Sequence, residues 1–179
     1  MSTIIDFYDG VGTDSEGRTL EYILSQNLEW MEYNHDFIQW VFPLKKPSNF
    51  NADAPLLTDE DIKLFMKSST RVDNLMSAVT KFLYFLGIEQ TLGPYNRPSK
   101  TPLDKAYFAE GRTFDKQKYT WFEFNHNSLR ITRLLKFMVL LGLNQFAADL
   151  LEFMKQTADQ HKVKLNETAL SYWEKAVKA

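Results

Sequence analysis

The chain has no cysteine. Disulfides, thiolate nucleophiles and cysteine-based metal sites are therefore excluded, and the absence agrees with a reducing compartment. Long apolar runs are missing too. The longest, FMVLLGL at 137–143, falls far short of the ~20 residues that a membrane-spanning helix needs. The opening MSTIIDFYDG lacks the basic n-region and apolar core of a secretory signal. Together these absences predict a soluble protein of the cytoplasm. There is no run of five or more Lys or Arg, which removes the simplest import or nucleic-acid signal. Neither GxxxxGK[ST], GxGxxG nor the nucleophile turn GxSxG occurs. The stretch DGVGTDSEG carries three glycines, but at the wrong spacing and among acids that repel phosphate. Histidine is scarce: His35, His126 and His161. None forms a pair at metal-ligand spacing, and adjacent His35 and Asp36 would point about 100° apart on a helix. No metal and no cofactor are expected.

What is present suits one domain over residues 1–179, with 44% hydrophobic and 25% charged residues and length enough to bury a core. Aromatics reach 15%, and 14 of them are Phe, so each buried ring contributes a large apolar area. The net charge of −2 hides an asymmetry. Residues 1–60 hold 3 basic and 11 acidic residues, whereas 61–143 hold 13 basic and 7 acidic. This predicts either an acidic segment lying across a basic middle or a basic binding face.

The periodicity predicts an all-α protein, a helical bundle of five to seven helices with long loops and at most a minor β element. Residues 1–16 read as extended or irregular, broken by Gly10 and Gly12. TLEYIL begins one long helix or two abutting ones reaching about Tyr33. Asn34 is placed to cap a short helix that Pro43 ends. TDED at 58–61 is a capping-box start for a long helix closed by Gly87, with a kink near Ser68–Thr70. Residues 43–57 and 88–118 read as loops, and YTWFEFN as a short strand. Helices follow from Asn127 to Gly142, from Asn144, and over 167–178 with Leu170 and Trp173 as anchors.

Two stretches combine polar groups with an apolar load. In NHDFIQWVFP, His35 and Gln39 lie one turn apart, Asp36 is three residues before Gln39, and Trp40 follows. In NHNSLRITRLLK, Asn127, Arg130 and Arg133 recur every third residue near a helix N-terminus, with Leu129, Leu134 and Phe137 expected to face the core. Asp36 needs a cationic partner, and Arg130 or Arg133 is the expected one. Two readings follow. One is a satisfied polar clasp. The other is a binding site in which a small anion or peptide terminus meets an arginine and His35. Two further readings stay open: His35 as the acid–base residue of an enzyme acting on an anionic small molecule, and weak nucleic-acid binding through the basic-aromatic segment 95–136, against which the pI of about 5.9 weighs.

NHDFIQWVFP with the following NADAPLLT, and HNSLRITRLLKFMVLLGL, resemble the signature segments of the opioid growth factor receptor conserved region. GRTLEYIL at 17–24 and FLYFLGI at 82–88 support the likeness, which covers nearly the whole chain. The compact form is similar to short microbial-type members. The resemblance implies a receptor-like, non-enzymatic binding module. Animal members are described as receptors for a Met-enkephalin growth factor, with a nuclear or perinuclear location. It supplies no catalytic residues and no oligomeric state. The candidate ligand-binding residues are thus His35, Asp36, Gln39, Trp40, Asn127, Arg130 and Arg133, for a peptide or small anionic ligand.

Overall fold

The computed structural model describes residues 3–91 and 105–178. The expected loop GPYNRPSKTP and part of the basic-aromatic segment lie outside these residues. The chain divides into two compact units, 1–81 and 82–179. Among the described residues there are eleven helices and one two-stranded sheet, so the mainly helical class holds. The helix count exceeds five to seven because several are only four to seven residues long.

In the first unit, α1 (Thr3–Tyr8) replaces the expected irregular start. Ile4, Ile5, Phe7 and Tyr8 are all buried, an i, i+1, i+3, i+4 pattern that makes one apolar helix face. Gly10 and Gly12 lie beyond its end. Next come α2 (Leu20–Ser25) and α3 (Leu28–Tyr33). They are two helices rather than one because Asn27 caps the second, accepting from Trp30 N. Asn34 turns out to be the C-cap of α3, and α4 (Ile38–Val41) starts after Phe37. The capping box of α5 (Asp59–Phe65) is fully formed: Thr58 accepts from Asp61 N, and the Asp61 carboxylate accepts from Thr58 N. The expected kink is a full break, after which α6 (Ser69–Phe85) begins.

The core of this unit is aromatic. Tyr8 packs edge-on against Phe65 at 4.5 Å, and Phe7 lies 5.6 Å from Trp40. The fully buried Tyr8 hydroxyl donates to the Val41 carbonyl. That burial pushes the phenol well above the ordinary tyrosine range. Arg71 grips both oxygens of Asp9 at 2.7 and 2.8 Å and donates to the Leu64 carbonyl. The start of α6 is thereby tied to the end of α1.

The second unit opens with the last turn of α6, followed by β1 (Ile88–Thr91), antiparallel to β2 (Tyr107–Glu110), with Thr91 opposite Tyr107. The strand expected at YTWFEFN is instead α8 (Tyr119–Phe122), directly after α7 (Phe114–Gln117). Its alternation reflects Trp121, which is buried and donates from Nε1 to the Leu86 carbonyl. Then come α9 (Asn127–Leu140), α10 (Asn144–Gln160) and α11 (Glu167–Val177). Trp173 of α11 donates to the Ser128 carbonyl of α9 at 2.9 Å. β2 lies along α10: Asp149 accepts from Ala106 N, Phe108 packs on Phe146 and Phe153, and Glu110 is 2.5 Å from His161.

Candidate functional site

The segment 34–43 owes its shape to a conflict of preferences. Phe37, Ile38, Val41 and Phe42 are buried and draw the chain into the core, while Pro43 stops the helix at a single turn. The polar residues between them are therefore carried to unequal depths. His35 is exposed, the Asp36 side chain is 44% exposed, and Gln39 and Trp40 are only 4% exposed.

The partner of Asp36 is Arg18, whose guanidinium donates to Asp36 Oδ1 at 2.9 Å and, through Nε, to Asp14 Oδ2 at 2.7 Å. Asp14 is buried, and its other oxygen accepts from the backbone N–H groups of Glu16 and Arg18. Burial works against the Arg18 charge, but the bonds and attraction from Asp14 and Asp36 outweigh it and hold the guanidinium above its ordinary value. Arg18 also lies 5.5 Å over the Trp30 ring, and Trp30 packs against Phe37. Arg18 lies before α2, off any periodic helix, so no helical spacing marks it as the partner in place of the expected Arg130 or Arg133. The usable signal was local: Asp14 two and four residues before glycine-flanked polar positions is a side-chain-closed turn, with Arg18 at its exit. Asn51 completes the surround, donating to the Asp36 carbonyl at 2.8 Å. It anchors the NADAPLLT loop beside this segment.

Two atoms here stand out. Gln39 Oε1 and Trp40 Nε1 are fully buried and have no hydrogen-bond partner. Buried polar atoms are nearly always paired, because each unpaired one costs ~1–3 kcal/mol.

In the second unit, Arg130 is 4% exposed and donates to Asn127 Oδ1 at 3.0 Å. Its guanidinium sits 5.9 Å over the Phe85 ring. Asn127 and Arg130 are thus brought together as their spacing predicts. Burial lowers the pKa of Arg133 from its ordinary value. Leu134 and Phe137 are buried as expected, but Leu129 is 47% exposed. The buried face of α9 is centred on Arg130 and Leu134 rather than on Leu129, because Trp173 and Phe85 cover the polar positions. Among the described residues no three His, Asp or Glu side chains gather to hold a metal. No described helix is long and apolar enough to cross a membrane.

A mainly helical chain with a half-buried polar segment between α3 and α5, and a buried arginine at the head of α9, is the class of domain that these features define. The conserved-region model of the opioid growth factor receptor matches residues 5–179, and the chain belongs to this family. It is 32% identical over 154 residues to the opioid growth factor receptor of Mus musculus, covering 85% of this chain and 23% of that protein. The Homo sapiens receptor is 32% identical, with 86% and 21% covered. Opioid growth factor receptor-like protein 1 of Xenopus tropicalis is 30% identical, with 91% and 30% covered. The chain thus spans between a fifth and a third of the length of these relatives. No solved structure matches it.

Proposed function

We propose that this chain is a non-enzymatic, receptor-like binding module whose ligand is a peptide contacted by His35, Asp36, Gln39 and Trp40. The observation supporting this is the pair of buried, unpartnered atoms in consecutive residues, Gln39 Oε1 and Trp40 Nε1. One accepts and the other donates. Peptide units offer the complementary N–H and C=O. A ligand that displaces the cover over these atoms and supplies both partners gains from groups whose desolvation the fold has already borne. The names of the relatives agree with a receptor role. Asn127, Arg130 and Arg133 form a second candidate set for a small anion, supported by the hydrogen bond that holds Arg130 to Asn127 at the head of α9.

The test is a thermal-shift screen of peptides and acidic metabolites against the wild type, Gln39→Leu, Trp40→Phe and Arg133→Gln. Peptides that stabilise the wild type are expected to lose their effect in the first two variants and keep it in Arg133→Gln. Equal shifts in all four proteins would overturn the assignment.

A further inference from the structure

We propose that the surface around Asp36 is a docking site for a lysine- or arginine-bearing segment of a partner protein. This rests on the binding-module reading and names the charge of what binds there. Three observations carry it. First, two large rings stand in solvent close to Asp36 in the chain or one residue from its bonded neighbour. Tyr33, three residues before it, is 74% exposed, and Phe50 is 75% exposed. Phe50 precedes Asn51, whose amide is bonded to the Asp36 carbonyl. Exposed rings of this size offer apolar contact area, and their faces attract cations.

Second, an acceptor is open to solvent. Asp36 uses Oδ1 for Arg18 while its side chain stays 44% exposed. Ammonium and guanidinium groups are donors only, which suits this carboxylate. An anion is not suited, because the arginine that would have met it is spanned between Asp14 and Asp36.

Third, this stretch carries a net negative charge. Residues 1–60 hold 11 acidic and 3 basic residues. Of those three, Arg18 is taken by its two aspartates and Lys45 by Asp59 at 2.5 Å. Glu29 and Asp53, both exposed, add to the negative side. Such a field steers basic partners and repels acidic ones.

The experiment is a positional-scanning array of short peptides probed with the tagged chain at low and at moderate salt. Wild type, Asp36→Asn and Phe50→Ser are compared, and each is checked for folding by its thermal transition. Phe50→Ser keeps the test valid if Asp36→Asn unfolds, because that ring makes no part of the core. Lysine and arginine should be enriched among retained peptides. Retention should fall about tenfold in either variant, equivalent to ~1.4 kcal/mol, and should weaken with salt. Retained peptides without Lys or Arg enrichment would overturn the charge assignment and leave the binding-module reading standing. Failure of the wild type to retain any peptide would overturn both. Concentration-dependent self-association in sedimentation, lost in Phe50→Ser, would assign the surface to a second copy of the chain and overturn the proposal.

Discussion

Arg18 joins Asp14 to Asp36 across 22 residues of chain, with N–O distances of 2.7 and 2.9 Å. The two aspartates are unequal: the Asp14 side chain is fully buried and that of Asp36 is 44% exposed. Removing the shared cation therefore strands a buried carboxylate, whereas removing Asp36 releases a group that water can still solvate. Arg18→Met is expected to cost about 3 kcal/mol in urea unfolding, and Asp36→Asn under ~1 kcal/mol. Equal losses would show that the two carboxylates are equivalent.

Gln39→Leu and Trp40→Phe remove buried polar atoms that no group of the protein satisfies. Gln39→Leu should leave stability unchanged or raise it by ~1 kcal/mol, and Trp40→Phe, which also shrinks a ring packed on Phe7, should lower it by no more than ~1 kcal/mol, measured by chemical denaturation of the ligand-free chain. A loss above 2 kcal/mol, on the order of a broken buried hydrogen bond, would mean that these atoms are paired in solution.

Gly87 sits at φ +76°, and a Cβ placed there would come within 2.7 Å of the Phe114 Cα. Both the backbone conformation and the space demand glycine. Gly87→Ala should destabilise by ~2 kcal/mol or more, whereas Gly10→Ala at φ +77°, where nothing lies within 4 Å, should cost only the ~1 kcal/mol of left-handed strain. The difference in unfolding midpoint separates clash from strain.

Lys81 donates to the Gln26 carbonyl, and burial lowers its pKa from the ordinary 10.5. The unfolded chain then binds more protons than the folded one between the two pKa values. Stability from this group should rise with pH in that alkaline window, because the cost of burying the charge disappears. A nitrogen-detected NMR titration should find the Lys81 ammonium below 10.5, and Lys81→Met should flatten this contribution to the pH profile. A midpoint at or above 10.5 would contradict the burial argument.

The parts legible in the sequence were those set by local chemistry. The Thr58 capping box, the glycine stop at Gly87 and the helices from Asn127 and over 167–177 all follow from neighbouring residues. The breaks at Gln26–Asn27 and before Ser69 were harder, since the apolar stripe continues through them and only the caps betray the interruption. YTWFEFN misled because alternation on a four-residue helix is indistinguishable from a strand without knowing where Trp121 packs. Of the candidate site, Asn127 and Arg130 were readable from i, i+3 spacing. Arg18 lies on no periodic helix, and its one mark is the local Asp14 turn at whose exit it stands.

Thr91 and Tyr107 face each other across the hairpin, and β2 is fastened to α10 at Asp149 and His161. The short strand β2 is therefore held by a sheet partner on one side and by one helix on the other. Its amides should exchange with solvent in step with those of α10, so that loosening α10 would melt the sheet as well.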